Sequence, residues 1–447
     1  MTLLADTLLR MKRTDEATAR LDAYAAARGI RLDGKEKLAP VTPSNPTATV
    51  QPPPALAREA HILRHFREAI AGCRVVGEAA TAATLYLIIT TRLLDKPVSA
   101  AVKGLSSSGK SFTVEKTVEF FPSEAVVVMT AMSERALVYS KQDYAHRTLI
   151  LYEATALREG AEDNLTAYFV RSLLSEGRIE YPVTVRDPAG GFMTKTIVKE
   201  GPTGLILTTT KTRVHAENET RLLSINTNDS REQTKAIFRA LASETVSDVD
   251  KTEWHQLQLW LQTAEHRVTI PYAEILAELV PPVAVRLRRD FGAILSLIKA
   301  HAILHQLTRD RDASGQIIAT LDDYAEVREL AAHLIAEGVG STVSPTVRET
   351  VKAVKEWTVA TGCTAVEIAK QLKLDKSTVS RRLSVAAGEG YIRNLEDKRG
   401  KPGRWITGDP LPENCDLLPQ PHNLELPETR AVTGGCSVAG ANQGIEI

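Results

Sequence analysis

Apolar and polar positions change period several times along this chain, and each change marks an element. Residues 4 to about 29 carry Leu, Ala and Met at helical spacing, which predicts one or two amphipathic helices over 1–34. Over 35–56 the period is lost. VTPSNPTATVQPPP holds five prolines and predicts an extended linker. Helical spacing returns from Ala55 to Leu94, where the run TLYLIITTRLL has no polar face and reads as a buried core helix. From Pro97, short apolar runs alternate with helical segments. PVSAAVKG, AVVVMTA (125–131), RTLILYEA (147–154) and GLILTTT (204–210) read as four strands. Strands separated by helices predict an α/β fold, a parallel sheet with helices on both faces. One interruption breaks this rhythm. RIEYPVTVRD and FMTKTIVKE alternate at period two about a PAGG turn, a β-hairpin over 178–200. After Glu253 the pattern is helical through about Gly338, which sets a helical region at 251–340 behind an α/β domain at 57–250. A block at 344–408 shows three helical patterns and a short strand pair. From Pro410 to the end, Pro, Gly and Asn predict a tail without fixed structure over 410–447.

Composition narrows this picture only a little. The 447 residues are 43% apolar and 25% charged, values of an ordinary soluble protein with two or three domains. No stretch approaches the roughly 18 uncharged apolar residues of a membrane span. The beginning, MTLLADTLLRMKRTDEATAR, lacks a signal peptide's order of regions, so a cytoplasmic location is the expectation. Cys73, Cys363, Cys415 and Cys436 form no CxxC pair and give neither a disulfide framework nor a zinc pattern. The formal net charge is zero, so any nucleic-acid binding must come from local basic patches.

One motif carries chemistry directly. GLSSSGKS, from Gly104 to Ser111, joins an apolar strand to a helix and matches the phosphate-binding P-loop. Gly104 and Gly109 are its turn glycines, and Ser106, Ser107 and Ser108 offer backbone N–H groups between them. Lys110 would reach the outer phosphates of ATP, and the Ser111 hydroxyl would ligate Mg²⁺. Phosphoryl transfer also needs a carboxylate at the end of a neighbouring strand, and LILYEA supplies Glu153 as catalytic or metal-side residue. The usual pair there is Asp-Glu. This chain has Tyr152 in the Asp position, so Glu153 either polarises water or serves the metal while another group orients water.

Further along, the fourth strand ends in Thr208, Thr209 and Thr210, where ring-forming ATPases of the AAA+ class place a polar residue that senses the γ-phosphate. HAENETRLLSI follows, with Arg221 just before another apolar strand, as a trans-acting arginine finger would stand; Arg213 and Arg231 are rivals. Arg286, Arg288 and Arg289 open a helix and are candidates for a second sensor, Arg288 in contact with the nucleotide. On the hairpin, Arg178, Arg186, Lys195 and Lys199 are basic, and Lys195 and Lys199 are candidates to hold single-stranded DNA. In the 344–408 block, TAVEIAKQLKLDKSTVSRRLSVAAGEGYIRNLEDKRGKPGRWIT reads as a winged helix-turn-helix. Lys376, Ser377, Thr378, Arg381 and Arg382 line its second helix, and Lys398 and Arg399 sit in its wing as duplex contacts.

Together these segments resemble the ATPase portion of DNA-primase-like replication proteins of bacterial plasmids, phages and integrated elements. The resemblance spans about Gly77 to Thr407, through KGLSSSGKS, TAMSERAL, LILYEA, RSLLSEGRI, GPTGLILTTT, HAENETRLLSI and LDKSTVSRR. It implies an AAA+ P-loop domain with a helical lid and a C-terminal winged helix. It also implies a homo-oligomeric ring, expected to be a hexamer, that remodels or unwinds DNA. A hairpin before the sensor strand points into the pore in AAA+ proteins of this kind. The family's zinc-finger primase module has no counterpart among the first 100 residues, so primer synthesis would sit on a separate primase. An ATP-switched transcriptional regulator, or an assembly protein whose winged helix binds protein, are the alternatives.

Overall fold

Five runs of Val, Ile, Leu and Ala assemble the centre of this protein, because strands so uniformly apolar are stable only when both faces are covered. A computed structural model describes residues 52–130, 135–152, 165–187, 191–210, 221–243, 249–357, 362–396, 401–411 and 417–425. The helices expected over 1–34 and most of the proline-rich segment lie outside the described residues. Strands β1 (Ala100–Lys103), β2 (Val126–Met129), β3 (Arg147–Leu151), β6 (Thr203–Thr209) and β7 (Leu223–Asn226) form a parallel sheet in the order β2-β3-β6-β1-β7. Ala100 registers with Ile206 and Leu223, and Lys103 with Thr209 and Asn226. Alternation sorts the side chains between two cores. Val102, Ile150, Ile206 and Ile225 face one, and Ala101, Leu149, Leu151 and Leu207 face the other. The α/β fold with a parallel central sheet is therefore present as the sequence predicts.

The larger core holds α1 (Ile62–Gly72), α2 (Ala79–Thr90) and α3 (Lys110–Val118). Helix α2, AATAATLYLIIT, is apolar all round and is buried along most of its length, as its missing polar face requires. On the other face stand α4 (Ala136–Tyr139) and α5 (Leu165–Ser175). Strands β4 (Arg178–Arg186) and β5 (Phe192–Glu200) form a separate antiparallel hairpin with Val183 opposite Lys195. Its base is fixed by buried Ile179 and by Tyr181, whose ring meets Phe169 edge-on at 5.1 Å. Residues 188–190 of its turn lie outside the described residues.

A helical region follows β7: α6 (Arg231–Ala242), α7 (Thr252–Thr263), α8 (Ala273–Leu279), α9 (Leu287–Leu304) and α10 (Leu321–Thr342), with a short parallel pair, β8 (Val268–Thr269) and β9 (Ile317–Ile318), among them. Within it Asp323 accepts from His301 (2.6 Å), from Arg309 (2.7 Å) and from the Thr320 backbone N–H (2.7 Å). Burial pushes its carboxyl up, but the His301 and Arg309 hydrogen bonds outweigh that and hold it below the usual carboxylate range. Helices α11 (Pro345–Glu356), α12 (Ala365–Leu372) and α13 (Lys376–Gly388) then enclose their own core with β10 (Cys363–Thr364), β11 (Ile392–Asn394) and β12 (Arg404–Thr407). These three strands are antiparallel in the order β10-β12-β11. None of the helices among the described residues is long and apolar enough to cross a membrane.

The end of the chain departs from expectation. Within the segment assigned to a tail without structure, Leu417, Leu418 and Leu424 are buried in the larger core. Tyr324 Oη donates to the Pro419 carbonyl at 2.6 Å, and Arg328 Nε donates to that of Leu418 at 2.9 Å. The Pro and Asn content of LLPQPHNLE hides three leucines that α10 can cover. Proline-rich extended backbone costs little entropy to order.

A buried cation marks the junction of α2 with α7. Arg92 is fully buried with no carboxylate paired to it among the described residues, and burial lowers its guanidinium to about 10. Gln258 takes the place of a counter-ion: its Oε1 accepts from Arg92 Nη1 at 2.9 Å while its Nε2 donates to Tyr86 Oη at 2.9 Å. Gln258→Leu should cost about 3 kcal/mol, because it strands a desolvated charge. A urea titration reads this as a lower midpoint. The double variant Gln258→Leu/Arg92→Met should recover most of the loss, and an unchanged midpoint for the single variant would refute the assignment.

Candidate nucleotide site and nucleic-acid surfaces

The GLSSSGKS loop leaves the C-terminal end of β1, the inner strand between β6 and β7. Gly104 is required by its surroundings: an added Cβ would lie 2.1 Å from Thr227 Oγ1 and 2.6 Å from Ser108 Oγ. Ser107 (φ 67°) and Gly109 (φ 84°) adopt left-handed backbone, so the loop reverses tightly before α3 begins at Lys110. Ser108 Oγ and Thr227 Oγ1 lie 2.8 Å apart, and the Thr227 N–H donates to the Lys103 carbonyl at 2.9 Å. Thr227, just past β7, thus braces the loop. It is not among the expected site residues, and its one mark in the sequence is a polar residue after an apolar strand.

The tight loop runs into the first turn of α3, whose N–H groups have no acceptor within the helix, a combination that favours a bound anion. Lys110 is buried, and its Nζ donates to the Leu105 carbonyl at 2.5 Å. A phosphate oxygen at the loop would compete for that ammonium. Ser106 is exposed at the loop crest, and Ser111 is exposed in the first turn of α3. The local geometry fits a polyphosphate, and the chain offers a hydroxyl beside it for a divalent cation.

Tyr152 follows β3 and packs against the larger core, the same face of the sheet as α3. Burial, and then the charges of Glu115 and Glu119, push its phenol up to about 12. It stays neutral and cannot act as the missing carboxylate. Glu153 lies outside the described residues. Strand β6 separates β3 from β1, which sets buried Thr209 beside Lys103 at the root of the loop, with exposed Thr210 just beyond the strand.

The arginines divide by location. Arg221 donates from Nε to Ser175 Oγ at 2.8 Å, at the end of α5. It precedes β7, whose first residue registers with the first residue of β1, so it lies at the edge of the sheet opposite the loop. Arg286 is not available as a sensor. Its Nε meets Asp290 Oδ2 at 3.0 Å, its Nη2 donates to the Leu222 carbonyl at 3.0 Å, and Gly338 leaves room for its guanidinium. Arg288 and Arg289 are exposed in the first turn of α9, and no contact ties Arg288 to the loop among the described residues. Arg231 is exposed at the start of α6, while Arg213 lies outside the described residues. One tie does connect the helical region to the loop end of the sheet: Asn226 Nδ2 donates to Glu337 Oε2 of α10 at 2.7 Å.

The hairpin lysines part company. Lys195 is exposed, but Lys199 donates to the carbonyls of Ser140 (2.5 Å) and Gln142 (3.0 Å) and lies 5.5 Å from the centre of the Tyr144 ring. Lys199 therefore anchors the hairpin to the body, whereas the expected strand-holding part is open to Lys195. Sequence charge alone could not separate the two, since the carbonyls that capture Lys199 are some sixty positions away. Phe192, 81% exposed, and Met193 add an apolar end to the hairpin that the search for basic residues passed over.

On α13 the expected contact residues also divide. Asp375 caps the helix, accepting from the Thr378 N–H (2.9 Å), Ser377 Oγ (2.6 Å) and Thr378 Oγ1 (2.5 Å), which holds its carboxyl well below the usual range. With their hydroxyl protons committed to Asp375, Ser377 and Thr378 serve the cap rather than a phosphate. Arg382 is drawn to Glu349 of α11 at 2.7 Å, a tie within this block rather than an outward contact. Lys376, Ser380 and Arg381 remain exposed, whereas Lys398 and Arg399 lie outside the described residues. No protein-family model matches this chain, and no curated protein matches it.

Proposed function

We propose that this chain is an ATPase of the AAA+ type that works as a ring and remodels or unwinds DNA, with α7–α10 as its lid and the 344–408 block as a winged helix. The observation that carries the reading is the loop at Gly104–Ser111: tightly turned, braced by Thr227, and continuous with the inner strand of the parallel sheet. Lys110 would leave the Leu105 carbonyl for the outer phosphates, and the loop N–H groups would hold the inner ones. Bound Mg²⁺ would neutralise the developing charge, with Ser111 as its protein hydroxyl. Thr209, beside Lys103, would report whether a terminal phosphate is present. The neighbouring subunit would supply Arg221, because each subunit carries that residue away from its own loop.

The hairpin inserted between α5 and β6 supports a motor, since its distal end is exposed, apolar at Phe192 and basic at Lys195. The exposed Lys376–Arg381 face of α13 suits duplex DNA and fits an ATP-switched regulator as well. Lys195→Ala separates the two readings. Basal ATP turnover and assembly should persist, while stimulation by single-stranded DNA and displacement on a forked duplex should both fall at least tenfold. Full displacement by this variant would remove Lys195 from the strand path.

A further inference from the structure

A P-loop ATPase needs an anionic oxygen near the serine that ligates its metal, and Tyr152 stands where the strand would normally supply one. A neutral phenol neither offsets the charge of a divalent cation nor accepts strongly from its water. The compensating group can come from α3, which packs on the same face of the sheet as Tyr152. Two carboxylates lie near enough to act on the phenol, Glu115 on that helix and Glu119 just past its end. Glu119 is already committed: Lys116 donates to it at 2.6 Å and Lys251 at 2.7 Å. Glu115 is exposed and has no hydrogen bond or ion pair to its carboxylate among the described residues. It follows Ser111 by four positions, so the two share one face of the helix. Side chains lean toward a helix N-terminus, which tilts the Glu115 carboxylate back toward the Ser111 hydroxyl.

We propose that Glu115 is the metal-side carboxylate of this site, holding a water of the nucleotide-bound cation beside Ser111 in the place that Tyr152 vacates. This rests on the reading of the loop as an ATP site. Glu115 acts through water and is a positioning residue. Outer-shell partners of this kind are typically worth on the order of 10–100-fold in metal affinity.

The test uses Mn²⁺ and a non-hydrolysable ATP analogue on the full chain, with free Mn²⁺ counted by electron paramagnetic resonance. Glu115→Gln should weaken Mn²⁺ in the ternary complex about tenfold. In EDTA the same variant should bind the analogue as well as the unaltered protein or better, because a negative charge near the phosphates is gone. Glu119→Gln should leave Mn²⁺ affinity unchanged. Tyr152→Asp placed on Glu115→Gln should restore it, since the carboxylate then returns to the strand. Equal Mn²⁺ affinity in Glu115→Gln and the unaltered protein would overturn the proposal, as would failure of Tyr152→Asp to restore it. If the unaltered protein binds no analogue even in EDTA, the ATP reading itself fails and this inference falls with it.

Discussion

Lys110→Ala should abolish ATP turnover and weaken nucleotide binding while leaving the fold intact. The ammonium is buried and, without ligand, rests on the Leu105 carbonyl, so the loop is arranged to keep one cation at its centre. Removing it deprives the outer phosphates of a charge-assisted hydrogen bond in a partly desolvated place, where such a bond is at its strongest. Loss of one such stabilising group costs on the order of 10²–10³ in turnover, or about 3–4 kcal/mol of transition-state stabilisation. Affinity should fall by about tenfold or more, since the ground state also loses the contact. Release of inorganic phosphate and titration with a fluorescent ATP analogue measure the two effects separately. Circular dichroism should be unchanged, because alanine is a good helix former at the first position of α3. Turnover near that of the unaltered protein would show that the loop does not hold the reacting phosphates.

The second large effect concerns Arg221. From Ala100 to Lys103, β1 alone spans about 10 Å, and the loop begins beyond its far end. An arginine anchored beside Ser175, before β7, has no path to phosphates bound at its own loop. On the proposed reading, its contribution would come between subunits. Arginines of this kind contribute roughly 10³-fold or more to turnover. Arg221→Ala should leave analogue binding near normal and reduce turnover by about that factor. Mixing Arg221→Ala with Lys110→Ala subunits should restore part of the activity, because some interfaces then pair an intact loop with an intact arginine. No recovery in mixtures that assemble would place the finger elsewhere, with Arg231 the described alternative.

The sequence carries the parallel sheet plainly, because strands covered on both faces must be apolar throughout and helices must separate them. The glycine loop is equally legible, since Gly104 and Gly109 answer steric demands that few other residues can meet. Alternation over 178–200 predicts the hairpin, and the register bears it out to both ends. What escaped reading is long-range pairing of charges. Arg286 with the Leu222 carbonyl, Arg382 with Glu349, and Lys199 with two backbone carbonyls all turn apparent surface cations into ties within the fold. Charge along a chain shows which groups want partners and not which partners the fold provides. The segment at 417–425 was hidden for a different reason: three leucines among prolines have no period of their own and gain meaning only against α10.

The most direct test of the motor reading is ATP turnover by the unaltered protein with and without single-stranded DNA, run beside strand displacement on a forked duplex. The account predicts Mg²⁺-dependent turnover that single-stranded DNA raises severalfold, together with displacement that stops when ATP is replaced by its non-hydrolysable analogue. Turnover indifferent to DNA, with no displacement by protein shown to be assembled, would contradict it.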